Sequence, residues 1–240
     1  MDWRDEGVIV SVRKHGETSA IIEVLTVEHG RHAGVVRGGV SRRITPVLQP
    51  GNQVSLEWRA RLEEHLGSYR VELLQSRSSV LGDRAALAAL GSICALVSFA
   101  FPERMVIPEL YASSLELFDA LAAGDAWARA YALWELQLLE ELGFGLDLSS
   151  CAATGTMDDL VYVSPKSGCA VSRAGAGVWA DQLLPLPEFF RNTEAGAPKE
   201  DILKALKTTG FFLERRLATS LGNRPLPAAR ARLVAVLSKS

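Results

Sequence analysis

The sequence predicts an α+β protein of two parts: a small five-stranded β-barrel followed by a helical domain. Three observations carry that prediction. The first 80 residues run in short apolar or alternating stretches between glycine-rich turns. From Leu81 onward the apolar residues recur at helical spacing. Within the helical part, Leu142 to Ser172 breaks the rhythm with turn residues and two cysteines, Cys151 and Cys169.

Gly7–Val12 alternates, with Val8, Val10 and Val12 expected on one face. Ala20–Leu25, Arg31–Arg37, Val54–Arg59 and Tyr69–Leu74 follow as strands. They are bounded by Gly16, His29-Gly30, Gly38-Gly39, Pro50-Gly51 and Gly67. In the fourth, Val54, Leu56 and Trp58 share a face opposite Ser55, Glu57 and Arg59, which makes Trp58 a core residue. Five strands in so short a span fit a closed barrel. An OB-fold is the commonest solution, and an SH3-like barrel is the alternative. The domain boundary is expected near residue 80, giving domains 1–80 and 81–240.

Asp83 can cap a helix running toward Phe99, and Pro108 opens a second that ends at Ala123 before Gly124. Asp125 can cap a third through Ala126–Leu142, closed by Gly143, with Leu133, Leu136, Leu139 and Leu142 as its buried stripe. An irregular insert with a hairpin spans about 146–180; Leu160–Val163 is its strand candidate, flanked by Thr154-Gly155, Asp158-Asp159 and Ser164-Pro165-Lys166-Ser167-Gly168. A proline-rich connector, Leu183–Pro187, leads to a helix from Lys199 to Leu221 and a last one over Ala228–Leu237.

Composition narrows the function. The opening Met1-Asp2-Trp3-Arg4-Asp5-Glu6 is unlike a secretory signal, and the longest uncharged run, Ala85 to Phe101, is short and alanine-diluted for a membrane span. Three cysteines form no disulfide framework, which points to a reducing cytoplasm. The net charge of −2 hides segregation. Residues 1–80 carry 11 basic and 10 acidic side chains, 81–198 carry 6 and 15, and 199–240 carry 9 and 3. Blocks of this kind suggest distinct partners for distinct parts.

Catalytic and metal chemistry find little support. Cys151 has Thr154 where a knuckle partner would stand, and Ser172 and Gly175 occupy the positions after Cys169. Zinc is therefore not expected, and no cofactor is called for. No Gly-x-Ser-x-Gly elbow, Walker loop or Gly-x-Gly-x-x-Gly occurs, and no enzyme is expected. Nucleic-acid binding fits better. Between Gly30 and Pro50 stand Arg31, His32, Arg37, Arg42 and Arg43 without one acid, beside Gly38-Gly39. Arg13 and Lys14 extend the same surface. Basic loops beside a barrel are how OB-folds track a sugar-phosphate backbone. The stacking aromatics are thin, with Trp3 and Tyr69 available besides Trp58. A second basic block lies at Lys204, Lys207, Arg215, Arg216 and Arg224.

In order, Glu6-Gly7-Val8-Ile9-Val10, Glu17-Thr18-Ser19, Glu28-His29-Gly30-Arg31, Val36-Arg37-Gly38-Gly39 with Arg42-Arg43, and Leu48-Gln49-Pro50-Gly51 form a recognisable series. Trp134-Glu135-Leu136, Leu142-Gly143-Phe144-Gly145, Cys151, Thr154-Gly155 and Tyr162-Val163-Ser164-Pro165-Lys166-Ser167-Gly168 continue it. The series resembles the RecO family of bacterial recombination mediators, over nearly the whole chain. That resemblance implies an N-terminal OB-fold and a C-terminal helical domain with a zinc-finger-like insert, here degenerate. It implies a cytoplasmic, nucleoid-associated protein of the RecF pathway that binds single- and double-stranded DNA and anneals strands. It also implies docking on the acidic C-terminal tail of single-strand binding protein, and cooperation with RecR in loading RecA. By position, Arg37, Arg42 and Arg43 match the family's DNA-contacting loop. The family's tail groove carries a basic residue one turn before Trp134-Glu135-Leu136. Ala132 stands nearest that position here, so Arg129, with Leu115, Phe118 and Leu133, forms the candidate tail site. The alternative function is a protein-interaction adaptor whose DNA contact is incidental, motivated by the acidic middle of the chain.

Overall fold

A computed structural model describes residues 1–124, 126–192 and 194–239. They form two compact units, Met1–Asp125 with Pro227–Val236, and Ala126–Leu226 with Leu237–Ser240.

The first unit is built on a closed five-stranded barrel: β1 (Asp2–His15), β2 (Ser19–Thr26), β3 (Arg31–Val36), β4 (Gln53–Arg59) and β5 (Ser68–Gln75). The strand order is β1-β2-β3-β5-β4, with β4 returning to β1 and only β3–β5 parallel. This is the OB topology. Alternation explains the core. Ala20, Ile22 and Val24 of β2 and Val54, Leu56 and Trp58 of β4 point inward with Leu48 and Tyr69, and all are buried.

β1 is longer than its apolar run and does not alternate as expected. Its first half pairs with β4 and its second half with β2, so one strand serves two sides of the barrel. The register shifts between Ile9 and Ser11. A bulge there flips the alternation. Ile9 and Val12 therefore belong to the barrel core, while Val8 and Val10 are buried outside it, where α1 (Arg84–Ala100) packs on β1.

The Asp83 side chain caps α1, accepting from the Ala85 and Ala86 amides at 2.7 and 3.1 Å. α2 (Pro108–Ala123) begins on its proline and ends before Gly124, as the sequence indicates. The expected cap at Asp125 lies outside the described residues.

In the second unit, α3 (Trp127–Glu141) buries Trp127, Tyr131, Trp134, Glu135 and Leu138, at the 3–4 spacing of one helical face. The expected leucine stripe is corrected: Leu139 is buried, but Leu133, Leu136 and Leu142 are only half-buried. A repeat of three falls behind a 3.6-residue turn and walks around the helix. Buried Glu135 accepts hydrogen bonds from Tyr131 Oη at 2.7 Å and from Thr209 Oγ1 at 2.5 Å, which fastens α3 to α5 (Lys199–Phe212). α5 runs on into a wider π-helical segment, Leu213–Ala218. The insert contains β6 (Leu160–Val163), β7 (Ala170–Ser172) and a one-turn helix α4 (Arg173–Ala176). The expected connector supplies a third strand, β8 (Leu184–Pro185), in a sheet ordered β7-β6-β8. The last helix, α6 (Ala228–Lys239), has residues 228–236 in the first unit.

Candidate nucleic-acid interface

Register brings the predicted basic residues to one edge of the barrel. Lys14 lies across from Ala20, and Ala20 across from Val36, so the end of β1, the start of β2 and the end of β3 form one row. Arg13 and Lys14 are exposed on that edge, and Arg37 leaves it. The segment from Arg37 to Pro50 is anchored. Val40 N donates to Thr18 O at 3.3 Å. Ser41 O accepts from the amides of Ile44 and Thr45 at 3.1 and 2.9 Å. Leu48 is buried in the barrel core, with Ile44 and Val47 packed against it. Arg42 and Arg43 thus stand exposed on a turn held from beneath. Gly39 serves packing: a Cβ there would lie 2.8 Å from Ala20 Cβ. Its close approach is to the start of β2.

Arg31 occupies a different environment. Its Nη1 meets Glu23 Oε2 at 2.6 Å and its Nε donates to Phe101 O at 3.0 Å, so its side chain is engaged within the fold. The aromatics are engaged too. Trp3 stacks on His29 with centroids 3.9 Å apart and lies against Trp58 at 5.5 Å. Tyr69 is buried, its hydroxyl 2.8 Å from His32 Nδ1.

His32 makes stability depend on pH. Burial, then the nearby charges of Arg104 and His29, bring its imidazole from 6.5 down to about 4. An unfolded histidine takes up its proton near pH 6.5, whereas folded His32 stays neutral until about pH 4. The folded state should therefore lose stability as pH falls through that window, by up to roughly 3 kcal/mol. Urea unfolding at pH 7 and pH 5 should show the drop in the native chain and a shallower one in His32→Gln. Equal drops would remove His32 as its source.

Three further arginines were not singled out in the sequence. Arg4 of β1, Arg59 of β4 and Arg70 of β5 all reach the Glu57 carboxylate, at 3.3, 2.9 and 3.4 Å. The hydrogen bonds from Arg4 and Arg59 hold that carboxyl below its ordinary value. Beside them runs a groove of about 470 Å³, lined by Val36, Arg37, Ile44, Arg59, Tyr69 and Arg70 among others.

The residues expected at the tail site are divided between the units. Leu115 and Phe118 lie on α2 in the first, Arg129 and Leu133 on α3 in the second. Phe118 is buried, with the Arg77 guanidinium 5.7 Å from its ring centre. Arg129 is half-buried over Phe189 at 5.9 Å.

The four knuckle positions converge in the insert. A Cβ on Gly175 would lie 2.8 Å from Cys151 Sγ, 3.0 Å from Ser172 Oγ and 3.3 Å from Thr154 Cγ2. Structural zinc needs four Cys or His donors. One thiol, two hydroxyls and a glycine do not fit it. Among the described residues no group of three or more His, Cys, Asp or Glu could hold a metal ion. Cys151 Sγ instead accepts from Ser172 N at 3.2 Å and Ser172 Oγ at 3.4 Å. Burial pushes the thiol up, but donors from Ser172, Thr154 and Ala153 outweigh it and bring the thiol down to about 6.

An OB barrel bearing a braced arginine loop, followed by helices with a small β insert, defines a class of two-part OB-fold protein. Two family models match this arrangement in order. Recombination protein O N terminal matches residues 1–77, and Recombination protein O C terminal matches residues 81–225. The chain is 58% identical to the DNA repair protein RecO of Ruegeria sp. (strain TM1040), covering 100% of this chain and 99% of that one. It is 55% identical to the RecO proteins of Roseobacter denitrificans and Cereibacter sphaeroides (strain ATCC 17029 / ATH 2.4.9), again over its full length and 99% and 100% of theirs. The chain belongs to the RecO family of DNA repair proteins. Among the described residues no helix is long and apolar enough to cross a membrane.

Proposed function

We propose that this chain is a non-enzymatic mediator of DNA repair and homologous recombination, acting in the cytoplasm at the nucleoid. It binds single- and double-stranded DNA through the barrel and promotes annealing. With RecR it loads RecA onto DNA coated by single-strand binding protein. The observation that carries this reading is the placement of Arg37, Arg42 and Arg43. All three are exposed on a segment pinned to the barrel core by Leu48, next to Arg13 and Lys14. Cations held on a rigid frame take phosphates without sequence preference, which suits a mediator that must act on any broken end. Arg31 enters this reading as a support of the barrel, given its partners Glu23 and Phe101. The acidic tail of single-strand binding protein is proposed to contact Arg129 and Leu133, with Leu115 a separate candidate.

The triple change Arg37→Ala, Arg42→Ala, Arg43→Ala should weaken binding to a single-stranded oligonucleotide. It should also flatten the slope of log affinity against log salt by about 2, since each phosphate contact on a single strand contributes roughly 0.7. Unchanged affinity at low salt would overturn the role of this loop. Chain that binds a tail peptide but no DNA would favour the adaptor reading.

A further inference from the structure

OB-folds bind oligonucleotides on the outer face of strands 2 and 3, with the loops after strands 1 and 4. In this barrel that face is covered. The outward residues of β2 and β3 include Ile21, Leu25 and Ala33, which are 6%, 3% and 7% exposed. The segment between α1 and α2 is fastened across it. Arg31 Nε donates to Phe101 O at 3.0 Å, Arg104 N donates to Arg31 O at 2.8 Å, and the Met105 backbone lies against Gly30. The segment thus occupies the face where β3 begins.

The outer face formed by Asp2–Glu6 of β1 with β4 and β5 is open, whereas α1 covers β1 beyond it. Register sets its residues in cross-strand rows: Arg4, Glu57 and Arg70 in one, Asp2, Arg59 and Ser68 in the next. The arginine side chains are 81%, 63% and 77% exposed for Arg4, Arg59 and Arg70, and all three share the one carboxylate of Glu57. Exposed ion pairs of this kind contribute little to folding. The cluster nevertheless keeps three guanidinium groups side by side, with more positive charge than Glu57 neutralises. Arg4 and Arg70 sit two strand spacings apart, roughly 10 Å. The groove beside them joins Arg59 and Arg70 to Arg37 and Ile44 of the arginine loop. In the opposite direction the row Glu6, Ser55 and Glu72 is acidic and bounds the patch.

We propose that a DNA strand crosses this barrel over β4 and β5, its phosphates taken by Arg4, Arg59 and Arg70 in continuity with Arg37, and that Glu57 competes with phosphate for those arginines. This rests on the DNA-binding reading above and names a different face for it than the fold alone would suggest. Guanidinium groups pair with phosphate in the same forked geometry as with a carboxylate, so exchanging Glu57 for a phosphate requires no refolding.

The test uses the full chain, a fluorescent single-stranded oligothymidylate and anisotropy titrations across a salt series. Arg59→Ala with Arg70→Ala should weaken binding about tenfold near 0.1 M salt and lower the salt slope by about 1.4, for two contacts at roughly 0.7 each. Glu57→Gln should tighten binding several-fold. A control that removes the same charge on helices, Arg84→Ala with Arg173→Ala, should leave affinity within twofold. Melting curves should match the native chain, because the Arg59 and Arg70 side chains are exposed and, among the described residues, bond to Glu57 alone. Native affinity in the Arg59/Arg70 variant, alongside loss in an Arg42→Ala, Arg43→Ala variant, overturns the β4–β5 track and leaves the DNA reading standing. Equal losses in the helical control overturn it as a mere net-charge effect. Unchanged affinity in Glu57→Gln overturns the competition. If the native chain binds no oligonucleotide, the DNA reading itself fails and this inference falls with it.

Discussion

Replacing Gly30 with alanine will destabilise the chain by about 4 kcal/mol, one of the largest single-residue effects expected here. Two costs add. Gly30 has φ +62°, where an L side chain costs about 1–2 kcal/mol. A Cβ there would also stand 2.1 Å from Met105 O and 2.4 Å from Met105 C. Those are backbone atoms, and the segment that carries them cannot drift. Arg104 is fixed at both ends, its amide on Arg31 O at 2.8 Å and its Nη2 on Glu63 O at 2.6 Å. Gly38 is the internal comparison. Its φ is +69°, but a Cβ there would meet nothing within 4 Å. Gly38→Ala should therefore show only the conformational cost. At this chain length 4 kcal/mol corresponds to a melting point lower by roughly 10 °C. A Gly30→Ala chain that melts like Gly38→Ala would mean the covering segment yields freely.

Asp119→Ala should be nearly as costly, at roughly 3 kcal/mol. The reason lies in its partner. Arg77 follows β5 and its side chain is 1% exposed. Its Nη1 donates to Gly51 O at 2.8 Å, while Nε and Nη2 donate to Asp119 Oδ1 at 3.1 and 2.8 Å. Its backbone amide donates to Asn52 Oδ1 at 3.1 Å, which ties the barrel exit to the start of β4. Removing the carboxylate leaves a guanidinium in the interior with one carbonyl and the face of Phe118. The Asp119 side chain is 48% exposed, so water can reach the vacated side and hold the loss below that of a fully enclosed pair. Arg77→Met should cost less, and the double variant should recover part of the Asp119→Ala loss. Additive losses in a denaturation cycle would show that the two residues act independently.

Much of this was legible in the sequence, because the barrel strands carry period-two patterns and the helix ends carry caps. The misreadings have local causes. The first five residues of β1, Asp2-Trp3-Arg4-Asp5-Glu6, are mostly charged and give no strand signal, since that part of the strand shows an open face to solvent. The bulge after Ile9 is invisible in a Val-Ile-Val run. In α3, counting leucines at threes concealed the aromatic face that carries Tyr131 and Trp134. The arginine loop was found because it lacks acids over a continuous stretch. Arg4, Arg59 and Arg70 were missed because 66 positions separate the first from the last. Each has an acid nearby in the chain, so a running charge count cancels them. Only strand register gathers them on Glu57. Arg31 shows the reverse: it is prominent in the charge pattern, yet it is an outward residue on the covered face.

The barrel closes between β3 and β5 through just two residue pairs, Val35 with Ser68 and Val36 with Tyr69. The groove that joins Arg37 to Arg59 and Arg70 straddles this seam. A strand held across it would act as a splint over the narrowest join in the barrel. Mass action then makes occupancy and closure mutually reinforcing, since whatever binds only the shut form also keeps it shut.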